Sequence, residues 1–183
     1  MLILILGVAL WWGAHLYKRM APAQRATMGE RGKGMVTGLL VLSIILMVIG
    51  YRGADGAFFW GRNPALVGIN NLLVLVAFYL FAAAGMKTRI TAYTRHPMLW
   101  GFSLWAIAHL LVNGDTPSFV LFGGLLAWAL VEMAAISRAS PWVRPTGPFP
   151  ARKEAMAAVG AVIVMVVVGL VHGWIGPWPF GGA

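Results

Sequence analysis

The chain has 183 residues, of which 60% are hydrophobic types and only 10% are charged, whereas a soluble domain carries about a quarter charged residues. This composition excludes an ordinary soluble domain and predicts an all-α fold, a polytopic membrane helix bundle. The absence of cysteine excludes disulfides, thiolate ligands, iron–sulfur clusters and cysteine nucleophiles. The net charge of +9 comes with no nucleic-acid module, hydrolase triad, phosphate loop or dinucleotide motif, so these function classes are not expected.

Six apolar segments are predicted to cross the membrane, because a bilayer core takes about 20 residues of helix. In chain order they are 1–17, 35–51, 66–85, 97–112, 117–136 and 156–174. The first segment has no positive charge before its apolar run and has Lys18 and Arg19 after it, which predicts a retained helix rather than a cleaved signal. With no tandem repeat and no second domain visible, residues 1–183 are interpreted as a single transmembrane domain.

The connections between these segments carry residues that typically end membrane helices. Asn113-Gly114-Asp115 predicts a turn after the fourth helix, and Thr116-Pro117 predicts the cap and first position of the fifth. The segment Pro141–Pro150 holds four prolines and is predicted to be a loop. Small residues four positions apart let helices approach closely, and two such pairs occur: Gly34 with Gly38, and Gly169 with Gly173.

Lys and Arg alternate between the connections in a way that predicts the orientation of the bundle. Residues 18–34, 86–96 and 137–155 hold 12 of the 14 basic residues, and residues 52–65 hold the other 2. The positive-inside rule assigns the basic connections to the cytoplasm. Both termini are therefore predicted to lie outside.

This orientation also predicts a depth for each polar residue, because a helix advances about 1.5 Å per residue. His96 and His109 then lie about 20 Å apart along the fourth helix. Ionisable groups in a span are costly and usually face the protein interior, although residues close to the interface also reach water by snorkelling. Two polar layers follow: an inner one of His15, Arg95, His96 and Glu132, and an outer one of Asn70, Asn71, His109, Asn113, Asp115 and His172.

Two expectations concern the members of these layers. Glu132 lies at the depth at which the antiparallel fourth helix begins, and a guanidinium is the best partner for a carboxylate, so Glu132 is predicted to contact Arg95 or His96. Asn113 and Asp115 are interpreted first as capping residues of the turn that they form.

His109 differs from the interfacial histidines because it lies deeper and on an aromatic face. Met98, Phe102, Trp105, His109 and Asn113 follow one another at spacings of three and four, which places them on one stripe of a helix. Such a stripe is typical of plain helix packing. It also suits a flat cofactor, because neutral imidazole is a good iron ligand. Both interpretations remain open from the residues alone.

Several short motifs also match a known family: Arg95-His96-Pro97, Leu104-Trp105, Ala108-His109-Leu110, Asn113-Gly114-Asp115 and, in the first helix, His15-Leu16. In these motifs the chain resembles the NnrU membrane protein family, whose relatives include the plastid 15-cis-zeta-carotene isomerase. The resemblance covers essentially the whole chain. It implies a multi-pass protein of the bacterial inner (cytoplasmic) membrane that is linked to denitrification and nitric oxide metabolism. Because the isomerase is a haem b enzyme, the resemblance also implies haem b as cofactor.

Carried over by position, the haem ligands of the isomerase fall on His109 and His15. The cysteine that serves there as an exchangeable ligand falls on Ala106, so this chain departs from the isomerase pattern at that position. Depth suggests different pairs, His109 with His172 and His15 with His96. The pair implied by the resemblance and the pairs suggested by depth are therefore alternative sets of ligands.

Three functions are compatible with these observations. The first is a haem-binding membrane protein of nitrogen-oxide metabolism, and the second is a haem-dependent cis–trans isomerase of a hydrophobic polyene. The isomerase would need a long apolar cleft, which Trp100, Trp105 and Trp128 could line. The third is a non-enzymatic assembly or transport partner in the lipid bilayer, in which the polar layers only hold helices together. No nucleic-acid partner is expected.

The predicted orientation can be tested with reporter fusions at residues 25, 57, 91, 115 and 146. Because basic and non-basic connections alternate along the chain, the fusions should report cytoplasmic and external locations in strict alternation. Two consecutive fusions on the same side would contradict the six-span topology.

Overall fold

Helices form at all six apolar segments of the chain, and a short helix lies between the first two. The computed structural model describes residues 1–181. The helices are Leu2–Met20 (α1), Pro22–Thr27 (α2), Gly29–Arg52 (α3), Pro64–Met86 (α4), Pro97–Val112 (α5), Thr116–Ala139 (α6) and Ala151–Ile175 (α7). A 3-10 helix at Arg89–Ala92 precedes α5, and α6 contains a π-helical turn at Phe119–Gly123.

Most of these helices have the length and the apolar composition of membrane-spanning helices. Four of them, α3, α4, α6 and α7, are long and apolar enough to cross a membrane. Helix α5 is apolar but has only 16 residues, and α1 has 19 residues and ends with Lys18 and Arg19 in its last turn. The chain is therefore a multi-pass helical membrane protein. The crossing of all six helices and the external location of the termini stay predictions.

The connection between the first two predicted spans is itself largely helical, which the hydrophobic pattern did not predict. Pro22 occupies the first turn of α2, where its missing N–H costs nothing, and α3 begins at Gly29 instead of residue 35. Glu30 and Lys33 form an exposed ion pair of 2.6 Å at helical spacing, which supports helix outside the apolar run. Hydrophobicity therefore located the span but not the start of the helix.

Neighbouring helices pack in the order α3, α1, α6, α5, α4 and α7. Leu4 and Val8 of α1, Met47 of α3 and Leu125 of α6 form the buried core of one half. The two outermost helices expose long apolar faces, with residues such as Ile45 and Val167 about half exposed. In a membrane protein these faces meet lipid. The bundle has a basic end (residues 18–34, 86–96 and 137–155) and a distal end (residues 52–65, 113–116 and 175–181).

The close approach of α1 and α3 depends on Gly7 and Gly50, which are not members of the predicted glycine pairs. A methyl group on Gly7 would meet the Met47 backbone nitrogen at 2.8 Å, and one on Gly50 would overlap the Leu4 backbone. At Gly34 and Gly38 the space is open within 4 Å. At Gly169 and Gly173 the neighbours are the rings of Phe180 and Trp178, which follow α7 in the chain. The expectation that these two pairs bring helices together is therefore wrong.

The turn at residues 113–115 includes a feature that the sequence analysis missed, a pair of very short antiparallel strands. Strand β1 (Phe58–Trp60) pairs with β2 (Gly114–Asp115) at the distal end. The Trp60 indole donates to the Leu110 carbonyl at 3.2 Å, and its ring fills the space that a side chain at position 114 would need. The apolar run at 58–60 therefore covers the turn between α5 and α6.

The close approach of α1 and α3 predicts opposite effects for two glycine substitutions on the same helix. Gly50→Ala should lower the free energy of unfolding by about 1–3 kcal/mol, because its methyl group forces the α1 backbone away. Gly38→Ala, in open space, should leave the free energy unchanged or raise it by up to about 1 kcal/mol through better helix propensity. Thermal melts of both variants in detergent would measure the difference, and equal melting temperatures would contradict this packing.

Candidate functional site

A cavity of about 210 Å³ opens between α3, α4, α5, α6 and α7 at the distal end of the bundle. Its walls are mostly aliphatic and aromatic, with Trp105 and Phe122 among them. Five of the six residues expected in the outer polar layer line it, and Asp115 is the exception. The polar lining residues are Tyr51, Arg62, Asn70, Asn71, His109, Asn113 and His172. The sequence did not predict that Tyr51 and Arg62 would belong to this site. Tyr51 lies near the end of α3, and Arg62 lies in the connection between α3 and α4.

His109 is held in one orientation by its own helix and by two aromatic rings. Its Nδ1 lies 2.9 Å from the Trp105 carbonyl one turn earlier. A carbonyl only accepts hydrogen bonds, so the proton is on Nδ1 and the lone pair is on Nε2. The imidazole lies 4.8 Å from the Trp105 ring and 4.6 Å from the Phe122 ring, between centroids. Phe122 belongs to the π-helical turn of α6, a type of distortion that often accompanies functional sites.

His172 faces the same cavity from α7 and has the same tautomer. Its Nδ1 donates to the Pro177 carbonyl at 2.8 Å, which again leaves Nε2 as the atom that can bind a metal. The hydrogen bond to a carbonyl also fixes the direction of the ring, as it does for many metal-binding histidines. The structure thus brings to one cavity the two histidines that the depth estimate had paired.

Two asparagines hold the backbone around His109. Asn113 caps the end of α5, because its side-chain amide donates to the His109 carbonyl at 2.8 Å. The amide of Asn70, oriented to satisfy its hydrogen bonds, donates to the Ala108 carbonyl at 2.9 Å. Asp115 acts one step further along the chain, where it caps α6 by accepting from the Ser118 amide at 2.8 Å. The capping interpretation of Asn113 and Asp115 therefore agrees with their contacts.

The residues after α7 close the distal side of the cavity. Residues 177–181, called here the C-terminal tail, fold back so that Pro177, Pro179 and Phe180 form part of its wall. The tail is held by Arg62, which donates to the Trp178 carbonyl, and by the contact of Phe180 with Gly169. The GxxxG-like spacing of α7 therefore serves the chain's own tail.

At the basic end, Glu132 pairs with Arg19 of α1 and not with Arg95 or His96, so the predicted contact is wrong. The Arg19 Nε donates to Glu132 Oε1 at 3.0 Å, and Glu132 is only 7% exposed. Arg95 instead donates to Ser140. His96 contacts Ser137 at 2.9 Å, and partial burial, followed by the adjacent Arg95, lowers its pKa. The prediction considered only α5, the helix that precedes α6 in the chain. The Glu132 carboxylate instead faces α1.

His15 lies apart from the distal cavity in an aromatic cluster between α1 and α6. Its Nδ1 donates to the Trp11 carbonyl at 3.0 Å, and its ring centroid is 4.2 Å from Trp11 and 4.4 Å from Trp128. Phe102 and Trp105, with centroids 5.2 Å apart, connect this cluster to His109. Three buried polar atoms around it have no hydrogen-bond partner within residues 1–181: Trp11 Nε1, Trp128 Nε1 and Glu132 Oε2.

The tryptophans proposed to line a polyene cleft have three different surroundings. Trp105 lines the distal cavity, and Trp128 is buried beside His15. Trp100 is 46% exposed on the bundle surface. They do not form one continuous apolar cleft.

The described residues form no group of three or more His, Asp or Glu side chains that could hold a bare metal ion. In haem the ring supplies four nitrogens to the iron, so the protein needs to supply only one or two donors. His109 Nε2 and His172 Nε2 are donors of this kind, and both residues line the cavity.

The ion pair of Glu132 predicts a stability difference between two glutamates at the basic end. Glu132→Gln should lower the free energy of unfolding by about 2 kcal/mol, because a buried charged hydrogen bond is lost and Arg19 keeps its charge. Glu30→Gln removes an exposed pair and should cost less than about 1 kcal/mol. Detergent melts of both variants would measure this.

A double-mutant cycle with Arg19→Gln identifies the partner. The two substitutions should be clearly non-additive, because either one removes the same interaction. Additive effects with Arg19→Gln, or coupling to Arg95→Gln instead, would show that the pairing is not the one described.

One of three comparisons with known proteins gave a match, and it covers nearly the whole chain. Searches among curated proteins and among solved structures gave no match. The family model described as NnrU protein matches residues 3–179, a range that contains every helix and both sets of histidines. The chain therefore belongs to the NnrU family.

Proposed function

We propose that this NnrU-family protein binds haem b in the distal cavity, with His109 as the principal residue that would hold its iron. The observation that carries the proposal is the hydrogen bond that fixes the His109 ring in the wall of the cavity. Its Nδ1 is engaged with the Trp105 carbonyl, its ring is fixed between Trp105 and Phe122, and Nε2 is left to bind iron.

His172 is the second ligand in this proposal. It lines the same cavity as His109, and its Nδ1 is likewise bonded to a carbonyl. His15, the alternative implied by the family resemblance, belongs to the cluster with Trp11 and Trp128. Two aromatic residues, Phe102 and Trp105, lie between that cluster and His109. His96 is engaged with Ser137 through Nε2, the nitrogen a ligand would use.

The size of the cavity adds a condition to the proposal. Cavities that bury drug-sized ligands have volumes of about 300–1,000 Å³, and this one has about 210 Å³. Haem is at least of that size class, so the cavity takes only part of it while the tail covers the distal side. The binding-competent state therefore needs the rings of Phe180 and Trp178 to leave Gly169 and Gly173, while the Pro177 carbonyl keeps its hydrogen bond to His172. Arg62, which now holds the tail through Trp178, is then available to pair with the propionate carboxylates.

Haem would supply an iron that changes oxidation state, which agrees with a redox role in denitrification. The chain's own residues have more limited tasks. His109 and His172 would hold the iron, Asn70 and Asn113 hold the backbone carbonyls of Ala108 and His109, and the aromatic walls would exclude water. The bacterial inner membrane is the proposed location, because the basic residues gather at one end of the bundle.

The experiment is an absorption spectrum of the purified protein, before and after haem is added in detergent. The wild type should give a low-spin spectrum. His109→Ala should weaken haem affinity by at least about tenfold, since loss of groups that only orient a ligand already costs 10–100-fold. His172→Ala should convert the spectrum to high spin. His96→Ala is the matched control and should leave it unchanged.

Tail variants test the size condition separately. Trp178→Ala with Phe180→Ala should speed haem uptake, because both rings lie against α7 glycines in the closed arrangement. Loss of the low-spin spectrum with His15→Ala, but not with His172→Ala, would favour the pair implied by resemblance over the one proposed here. Failure of the wild type to take up haem would refute the proposal and favour an assembly or transport role.

A further inference from the structure

A second and larger cavity, of about 710 Å³, lies at the basic end of the bundle. It is formed by the end of α1, by α2 and by the end of α6. Four basic residues line it: Lys18, Arg19, Arg25 and Arg138. The rest of its lining consists of small apolar residues, Pro22, Ala26, Ala135 and Ala139.

The charges of this cavity are mostly uncompensated. Arg19 is neutralised by Glu132. Among residues 1–181 the only other ion pair joins Lys33 to Glu30, away from the cavity. Arg25 donates to the Gly29 carbonyl, which is a neutral acceptor. Lys18, Arg25 and Arg138 therefore bring about three positive charges to one cavity, and their mutual repulsion favours an anion between them.

General features of membrane proteins do not account for this convergence. Helix dipoles favour cations in the last turns of α1 and α6, where Lys18 and Arg138 lie. The positive-inside rule favours basic residues throughout this end of the bundle. Neither effect requires residues from three different helices to line one cavity, and Arg25, on α2, lies outside both long helices.

We propose that this cavity binds the headgroup of an anionic phospholipid, and in particular one that carries two phosphodiesters. The cavity lies at the ends of the membrane helices, which is the depth of lipid headgroups, and basic pockets between helices at this depth bind such lipids. Two phosphates match three cations better than one does. The alanines leave room for the glycerol backbone beside the phosphates. Val131, one helical turn before Ala135 on α6, is 42% exposed and offers an apolar surface for the acyl chains.

The test measures lipid binding to the purified full chain in a neutral detergent, by native mass spectrometry and by the melting temperature. Three lipids are compared: diphosphatidylglycerol, phosphatidylglycerol and phosphatidylcholine. Inorganic phosphate, at the same total phosphate concentration as the lipids, is the soluble comparison. The site variant carries Arg25→Gln and Arg138→Gln. The control carries Arg31→Gln and Arg152→Gln, which remove the same charge from the same end without touching the cavity lining.

Diphosphatidylglycerol should bind most tightly and raise the melting temperature most. The site variant should lose affinity for it on the order of thirtyfold, because each basic residue near the surface contributes about 1 kcal/mol, and the control should lose much less. If the site variant does not fold, Lys18→Gln at the exposed rim should still weaken binding about fivefold.

Three results would overturn the assignment. An equal loss in the control would show that the basic end attracts lipid diffusely. An equal stabilisation by inorganic phosphate would assign the cavity to an anion from solution. Equal binding of phosphatidylcholine would show that the phosphate charge is not recognised.

Discussion

In hydrocarbon, a polar side chain must find its hydrogen-bond partner within the protein, and the rest of this structure depends on how that need is met. Several polar groups of the spans bond to a carbonyl of the preceding turn of their own helix: His15 to Trp11, Ser103 to Leu99, and His109 to Trp105. For a serine this bond uses the only donor. For a histidine it uses one nitrogen and leaves the other as an acceptor or ligand. The bond that makes an imidazole tolerable in the membrane also prepares it for binding.

The aromatic residues connect the two polar regions that this arrangement creates. From His15 the rings of Trp128, Phe102 and Trp105 lead to His109, with neighbouring centroids about 4.4–5.2 Å apart. Such contacts each add modestly to stability. Together they pack α1, α5 and α6 against one another, because the rings of these three helices form one continuous row. The surroundings of His109 are therefore joined to those of His15 by a continuous set of ring contacts.

Composition and charge were sufficient to predict the helical membrane bundle, because lipid imposes a strong and local constraint on the sequence. The turn after α5 and the loop at 141–150 were also predicted, since glycine and proline act locally. The predictions that failed concern long-range choices. Glu132 had several basic residues at its depth, and nothing in a single sequence ranks Arg19 above Arg95. Gly169 and Gly173 looked like a helix contact, because the spacing does not tell whether a helix or the chain's own tail fills the groove. The bounds of α3 were missed because polar residues continue a helix beyond the bilayer without changing its hydrophobic signal.

Glu154, at the basic end, makes another set of contacts that a single sequence does not predict. It lies in the first turn of α7, where its negative charge interacts favourably with the helix dipole. Its carboxylate also accepts from the Arg89 amide at 2.6 Å and from the Tyr79 hydroxyl at 3.4 Å. One side chain thus joins α7 to α4 and to the 3-10 helix that follows α4. Residues far apart in sequence make this contact, so only the folded structure reveals it.

The π-helical turn in α6 has an evolutionary consequence. Such a turn holds one residue more than regular α-helix would, so deletion of a single codon within Phe119–Gly123 would convert it to α-helix. The part of α6 before the turn would rotate by about 100° relative to the rest. Ser118 would then lose the Tyr51 hydroxyl that it meets at 2.8 Å, and Phe122 would turn away from His109. A one-residue change in length is therefore the smallest genetic step by which members of this lineage could reshape the distal cavity while every membrane helix is retained.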